Sequence, residues 1–151
     1  MDNMKATDAG DQSLISTVTR RQFLTDDTLR RVAAMLGLSD RHLAFDGAAP
    51  FGWHFPLIGA ETYRDFLRAD GFPGLGIAFP PLPGKRLVAA GRTVEAHGAI
   101  RVGQAIERNS QIKSITPKST AQGEMTFVVI RHDLRDQDTK EQFIAEEQTY
   151  I

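Results

Sequence analysis

The sequence predicts an α+β domain, an antiparallel sheet packed with a single amphipathic helix, on three observations. Apolar residues recur at helical spacing in an early segment, Leu29, Val32, Ala33 and Leu36. From Arg86 to the C-terminus there are β-rich runs, RLVAAGRTVEAH, QAIERNSQIKSI, MTFVVIRHDL and EQFIAEEQTYI. The segments between these runs are too short to carry parallel crossovers.

Residues 1–12 are polar and small and are expected to form a disordered terminus, leaving 13–151 as one domain. The run SLISTVTRRQF, ending at Phe23, is rich in β-branched residues and predicts a first strand. Thr25 then offers an N-cap hydroxyl, Asp26 and Asp27 suit the first turn, and Gly37 supplies a stop, so the helix runs from about Asp26 to Leu36. Between 38 and 84, Pro50, Pro56, Pro73, Pro80, Pro81 and Pro83 break any sustained period, with one short helical stretch expected around Glu61 to Leu67. The segment GFPGLGIAFPPLPGK is too apolar for a flexible linker and reads as a packed loop over the core. Its Gly74 and Gly76 form a GxG that precedes no helix with dinucleotide spacing and is read as turn geometry. In the C-terminal half, Gly98 and Gly103, then Pro117 to Gly123, then Arg135 to Lys140, mark turns, and the four runs are expected to form an antiparallel meander. Both alternation classes of MTFVVIRHDL are apolar, which predicts a central strand covered on both faces.

Composition narrows the functional classes. At 151 residues, 41% hydrophobic and 25% charged, the chain fits one globular domain. Eighteen basic and nineteen acidic side chains leave a net charge of −1, without the basic excess of a nucleic-acid binder. No cysteine is present, which excludes disulfides and thiolate chemistry. No pair of the four histidines has the i, i+4 spacing of zinc enzymes, so no metal is expected. No secretory signal and no run approaching the ~20 apolar residues of a membrane span are seen, so a cytoplasmic location is expected.

Several motifs point to a known family: the helix LTDDTLRRVAAMLGL, GWHF at Gly52 to Phe55, and PLPGKRLVAAGR from Pro81 to Arg92. They continue with IRVGQAIERNSQIKSITPKS from Ile100 to Ser119, FVVIRHDL from Phe127 to Leu134 and EEQTYI from Glu146 to Ile151. In order and spacing the chain resembles the N-terminal hotdog domain of MaoC-like dehydratases, of the mesaconyl-CoA hydratase and 3-hydroxyacyl-thioester dehydratase type. The resemblance implies a hotdog fold, an antiparallel sheet wrapped around a central helix, and a component of a hydratase or dehydratase acting on acyl-CoA or carrier-protein thioesters without a further cofactor. It also implies two hotdog units joined edge to edge, and the sequence ends where the first unit of such proteins ends, so a homodimer or a hetero-oligomer with a second hotdog subunit is expected. Related hydratases carry an Asp…Asn-Pro…His signature, which this chain lacks; LSDRHLAFDG, with Asp40 and His42, is its nearest stretch. Little turnover is therefore expected from this chain alone. A non-catalytic acyl-CoA-binding subunit and a hotdog thioesterase, using a carboxylate such as Asp27, Glu61 or Asp65, remain alternatives.

Hydration of an enoyl thioester needs a base for water, an acid for the α-carbon and donors for the thioester oxygen. His54 is the candidate catalytic residue, placed after Trp53, the only tryptophan, and ahead of an apolar stretch, where a wall and a polar tip can meet a substrate. The alternative reading has Trp53 filling the core and His54 making a structural hydrogen bond. His132, beside Arg131 and Asp133 on the expected central strand, is read as structurally paired, and His97 as an exposed turn residue. Lys85, Arg86, Arg92 and Arg101 are candidates to hold the ligand's phosphates, against an alternative role as solvated surface cations.

Overall fold

The computed structural model describes residues 17–38, 47–67, 69, 71, 73–78, 86–121 and 123–151. The expected disordered terminus, 1–12, lies outside these residues, as do Asp40, His42 and Lys85.

Five strands form one antiparallel sheet: β1 (Thr17–Phe23), β2 (Ala89–Ala96), β3 (Ala105–Thr120), β4 (Gly123–Asp136) and β5 (Gln142–Tyr150), in the order β1-β3-β4-β5-β2. The one α-helix among the described residues, α1 (Asp26–Met35), follows β1. Its ends obey the sequence signals. The Thr28 N–H donates to the Thr25 hydroxyl at 3.1 Å, and Gly37 at φ +68° lets its own N–H and that of Leu38 return to Ala34 O and Ala33 O. Leu29, Val32 and Ala33 are the buried face of α1.

The meander holds for β3, β4 and β5, but β2 departs from it. Instead of lying beside β3, β2 pairs with β5 at the far edge, Val94 opposite Glu146 and Arg92 opposite Gln148. The connection 97–104 crosses the end of the sheet, a path of three strand spacings, about 14 Å, within the ~25 Å reach of an extended segment of that length. Phe143 O, accepting from the N–H groups of His97 and Gly98, and Leu24 O, accepting from Gly103, anchor that path. The stretch around Glu61 to Leu67 forms a single 3-10 turn, Arg64–Phe66, rather than an α-helix. Glu61 is drawn to Arg20 and the Thr62 hydroxyl to Pro73 O, contacts with distant segments that compete with helical backbone pairing.

The inner face of the sheet can be read row by row. Arg108, Leu134 and Ile144 form one row, Ser110, His132 and Glu146 the next, and Ile112, Ile130 and Gln148 the third. At one end Leu24 and Leu29 join Ile106, Leu134 and Ile144 in an apolar cluster that also takes Leu57, Ile58, Ile100 and Phe143. At the other, Ile77 packs with Ile112, Val128 and Ile130, backed by Leu75, so the 74–77 part of the proline-rich loop does cover core. The row between the clusters is polar and fully buried. β4 is the central strand, with Val128 and Ile130 buried inward and Phe127 and Val129 half-buried outward. Further along, the outer face carries ion pairs, Arg131 with Asp133 at 2.9 Å and with Glu147 at 3.2 Å. Among the described residues no helix is long and apolar enough to cross a membrane.

Leu29 is the residue through which α1 enters the first cluster. Leu29→Ala is expected to lower unfolding free energy by ~2–5 kcal/mol in urea titration, against ~1 kcal/mol for Thr25→Ala at the cap. A Leu29→Ala loss no larger than that of Thr25→Ala would contradict the packing of α1 on the sheet.

Candidate functional site

His54 sits in a loop tied down at both ends. Ala49 N–H donates to Ile100 O, Val102 N–H to Gly47 O, and Ala48 bridges Arg101, so the loop is stitched to the β2–β3 connection. His54 then caps the 3-10 turn Phe55–Leu57, its carbonyl accepting from Leu57 N–H at 2.9 Å. Beyond the turn, Leu57 O accepts from Gln22 and Arg108, and Gly59 O from Arg108. These bonds to β1 and β3 fix where the imidazole lies.

The ring meets Glu146, from the middle of β5, at 2.7 Å from Nε2 to Oε2, and both side chains are buried. Among the described residues Glu146 has three partners. Arg92 of β2 reaches both carboxylate oxygens, Nε to Oε1 at 2.6 Å and Nη2 to Oε2 at 2.7 Å. Gln148 Nε2 donates to Oε1 at 2.6 Å, and the Tyr150 hydroxyl donates in turn to Gln148 Oε1. Burial on its own would raise the Glu146 pKa, but the hydrogen bonds from His54, Arg92 and Gln148 overcome it and hold the group at about 2. An ionised carboxylate only accepts, so His54 Nε2 carries the proton in this pair. In the neutral ring Nδ1 then holds the lone pair.

His54 also lines a cleft of about 390 Å³ whose walls are mostly apolar, including Ala49, Pro50, Phe51, Ala96 and Ile144. His97, at the end of β2, lines the same cleft and is half exposed, so the turn residue of the sequence reading stands beside the candidate base. Two of the Glu146 partners, Arg92 and Gln148, line a smaller hollow of about 190 Å³ with Phe55, Ile58 and Leu75.

The structure gathers some of the sequence candidates and scatters others. Trp53 packs half-buried against the first apolar cluster. Arg92 is turned onto Glu146, Arg101 bridges Ala48, and Arg86 is exposed ahead of β2. Asp27, Glu61 and Asp65 are each paired with an arginine, Arg31, Arg20 and Arg64, and none lines the His54 cleft. Glu146, Gln148, Ser110 and Arg108 were not singled out from the sequence. Strand alternation is the signal that marks them, since Ile106, Arg108, Ser110 and Ile112 share a face, as do Ile144, Glu146 and Gln148.

His132 occupies the same buried row. Its Nδ1 is 2.8 Å from Ser110 Oγ, and its Nε2 is shielded from solvent without a hydrogen bond among the described residues. Burial, then the charge of Arg108, lower its pKa to about 4, with Glu146 opposing. The unfolded chain binds this proton near pH 6.5 and the folded chain only near 4, so the stability is complete above pH 6.5 and is lost as pH falls through about 4. Urea titrations across this window should show stability falling with acidity in the native sequence, and a much flatter profile for His132→Leu. An unchanged profile in His132→Leu would contradict a neutral buried His132.

Comparison with known proteins follows the same lines. A family model described as the FAS1-like dehydratase domain region matches residues 50–144. The Mesaconyl-C(4)-CoA hydratase of Chloroflexus aurantiacus is 32% identical over 89 residues, which are 59% of this chain and 32% of that protein. The match thus spans about a third of the curated relative's length. Among solved structures, the unliganded R-hydratase PhaJ1 from Pseudomonas aeruginosa aligns with a TM-score of 0.55 at 16% identity, covering 91% of this chain and 79% of that one. The HadBC (3R-hydroxyacyl-ACP dehydratase) complex from Mycobacterium tuberculosis aligns at 0.57 and 16% identity, covering 91% and 93%. A hypothetical thioesterase with coenzyme A from Streptococcus pneumoniae aligns at 0.50 and 12% identity, covering 89% and 76%. At these identities the structures show a shared hotdog fold. The family match, by contrast, runs from the His54 loop into β5 and takes in more than half of the residues, and on that ground the chain belongs to the FAS1-like dehydratase domain family.

Proposed function

We propose that this chain is one hotdog component of an acyl-thioester hydratase or dehydratase, with His54 as its proton-transfer group and a second hotdog unit completing the catalytic set. The observation that supports this is the His54–Glu146 pair, a buried ionised carboxylate fixing a histidine that lines an apolar cleft. Well-packed apolar residues would stabilise such a position as well or better. A chemical use for the imidazole accounts for the pair better than stability does.

In the hydration direction, Nδ1 of neutral His54 takes a proton from water as the water oxygen bonds to the β-carbon of the enoyl thioester. The imidazolium so formed is held by Glu146, and the proton passes on to the α-carbon, where the electron pair has moved. Elimination of water runs the same steps backwards. The donors for the thioester oxygen come from across the interface with the second unit. The names of the similar hydratase and dehydratase support a substrate carried on coenzyme A or on a carrier protein.

The purified chain is expected to bind crotonyl-CoA in calorimetry and to hydrate it slowly, followed by loss of enoyl absorbance. His54→Gln keeps a donor for Glu146, so the fold should survive while hydration falls ~100-fold or more, to the buffer rate. Turnover indifferent to His54→Gln, or no binding at all by the folded chain, would contradict the reading.

The second unit, in this proposal, is another copy of the chain. β2 is an edge strand whose residues are mostly exposed, preceded by Val88 at 56% exposure, and edge strands are commonly closed by pairing. Light scattering at micromolar concentration should give the dimer mass, with an interface above ~1,000 Å². A persistent monomer mass would contradict the homodimer.

A further inference from the structure

The segment 57–63 crosses β1 and β3 on the inner face and leaves there a charge imbalance that the His54 site does not use. Arg20 of β1 and Arg108 of β3 are directly opposed across the strand pair, so their side chains rise from the same face. Arg108 is fully buried, and its Nη1 donates to Leu57 O and Gly59 O, each at 2.9 Å. Those carbonyls are dipoles and bring no negative charge. Arg108 Nε and Nη2 and Arg20 Nε are shielded from solvent and make no hydrogen bond among the described residues. Among the described residues the carboxylate that faces the pair is Glu61, 2.7 Å from Arg20 Nη1 and 71% exposed.

Two guanidinium groups therefore share one exposed carboxylate. Burial first, then the charge of Arg20, pull the Arg108 pKa down, and Glu61 opposes them. A guanidinium does not relieve this by losing its proton. Like charges directly opposed across a sheet destabilise it unless an opposite charge sits close by. Gly76, at φ +75°, closes over the buried group; a Cβ there would stand 3.3 Å from Arg108 Nη2. Beside Arg20 a hollow of about 370 Å³ is bounded by Arg20, Glu61, Thr62 and Tyr63, with Arg108 buried behind Arg20 rather than lining it, and Tyr63 is 83% exposed.

We propose that this hollow is an oxyanion site for a phosphate group, which takes the place of the Glu61 carboxylate on Arg20 and balances the buried charge of Arg108. A phosphate carries more than one negative charge near neutral pH and offers several acceptor oxygens to a guanidinium fork, so it balances two cations where one carboxylate does not. The phosphate is either free or borne by the adenosine portion of a CoA-type thioester, whose base can stack on Tyr63. Only the second source rests on the hydratase reading.

The test is thermal unfolding of the full chain titrated with inorganic phosphate at constant ionic strength, with chloride as control. A saturable rise in Tm is expected with phosphate and not with chloride. Arg20→Gln should weaken the apparent affinity ~10-fold or more, and Glu61→Gln, by removing the competing carboxylate, should tighten it several-fold. No saturable rise, or weaker binding in Glu61→Gln, would overturn the site. Glu61 is exposed, so that variant decides even where Arg20→Gln fails to fold. The adenosine bisphosphate portion of coenzyme A binding more tightly than inorganic phosphate, with the difference lost in Tyr63→Ala, assigns the site to a CoA-type ligand. Equal binding of the two assigns it to free phosphate.

Discussion

The buried carboxylate of Glu146 is the group on which the arrangement of the interior depends. It stands in the middle of β5 with no exposed surface and ionised, a state that costs several kcal/mol unless partners surround it. Those partners come from different parts of the chain: His54 from the loop before the 3-10 turn, Arg92 from the edge strand β2, and Gln148 from β5 itself. Satisfying one carboxylate therefore fixes the imidazole, draws β2 to the β5 edge through Arg92, and orients the Gln148–Tyr150 pair. Removing any one partner leaves a charge without full compensation, which is more disruptive than never having placed it there.

The polar row changes how the core is built. Two apolar clusters, one around Leu29 and Ile144 and the other around Ile77 and Ile130, are separated by Ser110, His132 and Glu146. A continuous apolar layer would be simpler and at least as stable. The interior instead holds neutral His132 next to ionised Glu146, with buried Arg108 one row away, and each of these is positioned by strand register rather than by a flexible loop. Groups held on strands keep their geometry to within the small excursions of the sheet, which gives the loop-borne His54 a fixed partner in Glu146.

Much of the fold was legible in the sequence because it is written in local signals. Thr25 and Gly37 mark the ends of α1, Leu29, Val32 and Ala33 mark its buried face, and the double apolar alternation of Val128 to Ile130 marks the central strand. The place of β2 was not legible, since its pairing with β5 depends on side chains far apart in sequence, Arg92 and Glu146 above all. The 61–67 stretch misled for a related reason: its local pattern is weakly helical, but Glu61 and Thr62 are committed to Arg20 and Pro73. Within the site, His54 was visible as a histidine at an apolar boundary. Its partner Glu146 sat in EEQTYI, read as the end of a β-rich run without a role for its carboxylate; strand alternation puts it on the face of Ile144.

The central claim is that ionised Glu146 holds His54 with the proton on Nε2 and leaves the lone pair of Nδ1 for chemistry. Nitrogen NMR of the imidazole at neutral pH reads this directly. An Nε2–H form is expected for His54 in the native chain, with its loss as the dominant form in Glu146→Gln. A native His54 protonated on Nδ1 alone, or one whose tautomer ignores Glu146→Gln, would contradict it.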